Sequence, residues 1–84
     1  MQTLLMYDIS HDGTRQKVAD VCLDYGLERI QYSAFSGELS KNLQEQLLYK
    51  IRQRMGRHGG SIYLIPICAA DWARRMEIDK PELP

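Results

Sequence analysis

Along residues 3–9, TLLMYDI, apolar side chains fill both phases of a two-residue alternation. Leu5, Tyr7 and Ile9 point one way, while Leu4, Met6 and Asp8 point the other. That pattern predicts a strand with cover on both faces. The stretch SHDGT then reads as a loop and helix start, with Asp12 or Thr14 as the expected N-cap. Val18, Val21, Cys22 and Tyr25 recur at helical spacing, and Gly26 is placed to end that helix as a C′ glycine. Residues 27–39, LERIQYSAFSGEL, are rich in strand formers. Ser33 and the pair Ser36-Gly37 leave two readings open, one bent strand or a hairpin of two. Ser40 is the expected N-cap of a second helix over 41–55, with Leu43, Leu47, Ile51 and Met55 as its buried stripe and Gly56 as its end. Residues 61–68, SIYLIPIC, form another strand with apolar residues on both faces. Pro66 donates no ladder hydrogen bond, so that strand belongs at an edge or Pro66 near its end. The tail from residue 69 carries Trp72 and a short predicted strand at 76–78, a C-terminal segment placed to join a partner subunit's sheet near Ile78.

The order is therefore β-α-β(β)-α-β plus a C-terminal element, an α+β arrangement of the ferredoxin-like, split βαβ kind. Its two helices cover one face of the sheet. The opposite face of TLLMYDI and SIYLIPIC is also apolar, and an 84-residue chain, read as one domain over 1–84, has little left to cover it. A second subunit is the simplest cover, so a homodimer is expected.

Composition narrows the setting. Cys22 and Cys68 lie far apart in apolar stretches, without C-x-x-C spacing, and are expected to be buried free thiols. The N-terminus has no signal-peptide pattern, and no apolar run is long enough to cross a membrane, so a cytoplasmic location is expected. Formal net charge is zero, which argues against a general polyanion binder. The charge is nonetheless segregated. Residues 1–40 hold six acids against three bases, and residues 41–60 hold five bases against Glu45 alone. Lys50, Arg54 and Arg57 share one helical face, so they are the first candidates for phosphate contacts, against the alternative of a solvated surface.

Asp8 is the most informative single residue, because it ends an apolar strand where the sheet meets a loop. A carboxylate there serves as a metal ligand, a catalytic group or a cap. One isolated carboxylate holds Mg²⁺ poorly, since the ion takes oxygen ligands from one or two carboxylates with water and phosphate. A two-fold dimer would bring two copies of Asp8 together. Arg15 and Lys17 open the first helix, and Arg29 alternates with Gln31 on the next strand, where either phosphate binding or plain surface fits. His11 reads as an exposed loop residue. Tyr7, Tyr32, Phe35 and Tyr63 are either core or base-stacking aromatics. Familiar hydrolase, P-loop, zinc-protease and paired-cysteine motifs are absent from the sequence.

Taken in order, YDIS at 7–10, Arg15 with KVAD at 17–20, YGLERIQYSAFSGEL at 25–39 and SIYLIPIC at 61–68 resemble the CRISPR-associated protein 2 family over nearly the whole chain. GLERIQYSAF is the specific block. The resemblance implies a ferredoxin-like homodimer that takes part in spacer acquisition with the family's partner integrase. It also implies, for some members, metal-dependent endonuclease action on single-stranded RNA or double-stranded DNA. The family's metal-binding aspartate falls on Asp8, its neighbouring tyrosine on Tyr7, its arginines on Arg15 and Arg29, and its phenylalanine on Phe35. Lys17 stands where some relatives carry a second arginine, which keeps the charge and loses bidentate geometry. Two roles follow. In one, Mg²⁺ between two Asp8 side chains supports phosphodiester hydrolysis, with Arg15 and Arg29 steadying developing charge. In the other, the dimer is a DNA-binding scaffold and another protein does the chemistry. A toxin-like ribonuclease of similar fold is a third reading.

Overall fold

Strand β1 (Gln2–Asp8) is the axis of the molecule in the computed structural model, which describes residues 1–84. Helix α1 (Asp12–Asp24), strands β2 (Glu28–Gln31) and β3 (Ala34–Glu38), helix α2 (Lys41–Met55), strand β4 (Ser61–Ile67) and the short helix α3 (Ala69–Ala73) follow. The sheet order is β2-β3-β1-β4 with every pairing antiparallel. Both long connections cross the same face, where α1 and α2 pack side by side. This is the expected split βαβ arrangement, and Pro66 lies on an edge strand as its missing N–H requires.

Burial follows the alternation of β1. Thr3, Leu5 and Tyr7 are buried beneath the helices with Phe35 of β3, and Val18, Cys22, Leu47 and Ile51 meet them from above. The other face is open, leaving Met6, Ile30, Tyr63 and Ile65 exposed. The C-terminal segment lies beside Leu4 and Ser36, so the second apolar phase of β1 and β4 is only partly covered within the chain.

The stretch 27–39 is two strands joined by the two-residue turn Tyr32-Ser33. Neither turn residue has positive φ, so the primed turns that match sheet twist are not formed. The ladder instead slips between Arg29 and Gln31, a bulge that absorbs the mismatch.

Several local expectations are corrected. The N-cap of α1 is His11, whose ring nitrogen accepts from the Thr14 backbone N–H at 3.1 Å, displacing Asp12 and Thr14 from that role. On α2, Leu43 is 40% exposed and Gln44 is buried in its place. The buried face runs through 44, 47 and 51, and Gln44 is tolerated because its Nε2 donates to Thr3 Oγ1 at 2.9 Å. Cys68 is exposed, since it falls after β4 at the start of α3. Residues 76–78 form no strand within the chain. Arg75 lies 4.1 Å from the Trp72 ring centre, donates to the Trp72 carbonyl and pairs with Glu77, and the segment lies beside Leu4, Ile30 and Ser36 without strand pairing.

Candidate nucleic-acid and metal site

The end of β1 distributes the candidate residues over two faces of the sheet. Asp8 is exposed, opposite Ser61 in the register, in the alternation phase of Leu4 and Met6 on the open face. Its carboxylate takes part in none of the ion pairs or side-chain hydrogen bonds of the chain. Gly60 holds the backbone beside it. A Cβ at Gly60 would lie 2.9 Å from the Asp8 carbonyl oxygen and 2.8 Å from Ile9, so only glycine lets the loop before β4 approach so closely.

Tyr7, one residue earlier, faces the helices. Its ring stacks with Phe35 at 6.2 Å between centres. Burial raises the Tyr7 phenol above its ordinary pKa, opposed by the neighbouring Arg29. Arg29 projects to the same side because it pairs with Phe35 across the β2–β3 ladder. Its guanidinium carbon lies 5.0 Å from the Phe35 ring centre and 5.8 Å from that of Tyr32. Arg15, from the first turns of α1, reaches the same Tyr32 ring at 5.5 Å. It also donates to the Ile9 carbonyl at 2.9 Å and pairs with Asp12. The Tyr32 phenol and then the Asp12 carboxylate raise its pKa further, so its charge is permanent.

Tyr7, Arg15, Arg29 and Phe35 therefore meet in one cluster, and Asp8 adjoins it through the backbone while presenting its carboxylate to the opposite face. Lys17 is exposed on α1 and Lys50 and Arg54 are exposed on α2, but Arg57, expected on the same helical face, lies past the Gly56 cap in the loop toward β4, because α2 ends at Met55. That loop is tied to Asp8's end of the molecule by His58, whose ring stacks on His11 at 3.8 Å. Sequence reasoning misses two members of this neighbourhood. The pattern gives His11 no role beyond an exposed loop, and it gives Tyr32 no neighbour among the four aromatics. Only the spacing from His11 to Thr14, a cap's reach, signals the first.

As a metal ligand, Asp8 fits in part. No group of three or more His, Cys, Asp or Glu side chains converges in the chain. A single exposed carboxylate suits Mg²⁺, which keeps several waters and shares phosphate oxygens, when a second carboxylate comes from another copy. When bound there, the ion would supply an activated water and polarise a phosphoryl oxygen.

Residues 1–75 match the family model described as CRISPR associated protein Cas2. The chain is 45% identical over 80 residues to CRISPR-associated endoribonuclease Cas2 2 of Chloroflexus aurantiacus, covering 95% of this chain and 94% of that protein. It is 41% identical over 51 residues to a CRISPR-associated endonuclease Cas1/endonuclease Cas2 fusion of Thermoproteus tenax, covering 61% of this chain and 19% of the fusion. The crystal structure of Streptococcus pyogenes Cas2 at pH 6.5 superposes with a TM-score of 0.77 at 25% identity, covering 95% of this chain and all of that one. No helix is long and apolar enough to cross a membrane. Sequence and fold agree over almost the full length of both chains, and the protein belongs to the CRISPR-associated Cas2 family.

Proposed function

We propose that this chain is a nucleic-acid-binding homodimer of the CRISPR spacer-acquisition machinery, with metal-dependent phosphodiester hydrolysis carried by paired Asp8 residues. The observation that carries it is the open sheet face. Met6, Ile30, Tyr63 and Ile65 are exposed there, and Asp8 stands at the edge of the same face. Covering that face with a second copy buries the apolar surface and sets two Asp8 carboxylates near the symmetry axis. The endoribonuclease name of the Chloroflexus relative supports nuclease chemistry. The Thermoproteus fusion, in which Cas1 and Cas2 share one chain, supports a working partnership with the family's integrase. In this reading Asp8 holds Mg²⁺, and the basic residues of the cluster and of α2 hold the backbone.

A scaffold without hydrolysis is the second reading. It is favoured by the separation of Asp8, on the open face, from Arg29, Tyr7 and Phe35 on the helix-covered side of the sheet. Asp8→Asn keeps the shape and removes the charge, so it separates the two. Cleavage of RNA or duplex DNA should fall by several orders of magnitude in a nuclease, because water activation and charge stabilisation go together. Spacer acquisition in cells should persist in a scaffold. Full cleavage by a dimeric Asp8→Asn protein would remove the metal role of Asp8. Lost acquisition with an intact dimer would remove the pure scaffold.

A further inference from the structure

Tyr32 is 68% exposed in a two-residue turn, a place where glycine, asparagine and aspartate are the usual residues. It gains little burial and gives the turn no conformational advantage. What it touches is charge. Its ring centre lies 5.5 Å from the Arg15 guanidinium carbon and 5.8 Å from that of Arg29, both within the range of cation–π attraction. Two cations drawn to one ring repel each other, and the ring's negative faces offset that repulsion.

The pair is unevenly compensated. Arg15 is anchored by the Ile9 carbonyl and by Asp12. Arg29 has no carboxylate partner in any ion pair of the chain and rests on Phe35 and Tyr32. A guanidinium seated on aromatic surfaces retains in-plane N–H donors, and that edge matches two oxygens of a phosphodiester. We propose that Tyr32 is the positioning residue of a two-arginine phosphate site, holding Arg15 and Arg29 together for the backbone of a nucleic-acid duplex. Tyr32 itself donates nothing to the ligand. The inference rests on the nucleic-acid-binding reading above and assigns to it a residue and a place.

The test uses the full chain and a labelled DNA duplex, with affinity measured by fluorescence anisotropy across a salt series. Tyr32→Leu should weaken binding about fivefold or more, because both cation–π interactions go with the ring. Its slope of log affinity against log salt should stay unchanged, because no charge is lost. Tyr32→Phe keeps the ring and loses only the phenol contact to Arg15, so it should bind much closer to the unsubstituted protein than Tyr32→Leu does. Arg29→Ala should weaken binding and make the slope shallower by about one. Wild-type affinity in Tyr32→Leu, with its melting temperature unchanged, overturns the positioning role while leaving nucleic-acid binding intact. So does a loss confined to single strands, which would make Tyr32 a base-stacking platform, and so does equal weakening in Tyr32→Phe and Tyr32→Leu. A protein that binds no nucleic acid before substitution overturns both the reading and the proposal.

Discussion

The rings of His11 and His58 stack face to face, 3.8 Å apart and 13° from parallel. They come from the loop after β1 and the loop before β4, so one stacked pair ties together the two segments that flank Asp8. His11 also caps α1 through its ring nitrogen and lies 2.9 Å from Thr14 Oγ1. His11→Ala should therefore cost about 1 kcal/mol for the lost cap, plus the stacking it shares with His58. His58→Ala should cost on the order of 0.5–1.5 kcal/mol for the stacking alone. A double-mutant cycle in urea should show that the two costs do not add, because the stacking is lost once. Strict additivity would mean the rings do not support each other in solution.

The basic residues at and beyond the C-terminal end of α2 make a separate prediction. Lys50, Arg54 and Arg57 are exposed and none is in an ion pair. Replacing all three by Ala should weaken duplex binding across sequences, and the salt slope should become shallower by roughly one unit for each phosphate no longer neutralised. An unchanged slope would identify these residues as solvated surface.

The open sheet face predicts assembly. Sedimentation at micromolar concentration should give about twice the chain mass, since that face leaves Tyr63 62% and Ile65 41% exposed in the isolated chain. Met6→Lys or Ile65→Lys should shift the protein toward a monomer of lower stability. A well-folded monomer of the unsubstituted chain at that concentration would refute the dimer.

The two cysteines should behave differently. Cys68 is exposed and Cys22 is fully buried, where desolvation pushes its thiol up to about 12 from an ordinary 9.0. Between those values the unfolded chain releases a proton that the folded chain keeps, so this contribution to stability is complete below about 9.0 and is lost as pH rises toward 12. The raised Tyr7 phenol acts in the same direction at the upper end. Urea midpoints should accordingly fall on going from neutral to strongly alkaline pH, and less steeply in Cys22→Ala. A thiol reagent should reach Cys22 only after unfolding; modification of Cys22 in the native protein would contradict its burial.

The alternation in TLLMYDI, the Ser40 cap and Gly26 are legible along the chain because each acts over a few residues. Alternation is a property of the strand backbone, and a cap needs one side chain and the next turn. The exchange of Leu43 for Gln44 on the buried face of α2 is not legible. Hydropathy favours leucine, and what admits glutamine is a hydroxyl on β1 that the fold brings within 2.9 Å. The placement of 76–78 is equally hidden, because only the fold sets Ile78 beside Leu4 and Ile30 without pairing it to a strand.

Residue types alone set the order of strands and helices, the two apolar faces of β1 and β4, and the isolated carboxylate at position 8. Those features depend on local backbone periodicity and on hydropathy, which the chain displays directly. Packing between distant elements settled which candidates meet. It set Arg15, Arg29, Tyr7, Tyr32 and Phe35 on one side of the sheet and turned Asp8 to the other, and it brought His11 to His58. Such meetings depend on register, and in a strand the shift of one residue from Tyr7 to Asp8 reverses the face to which a side chain belongs.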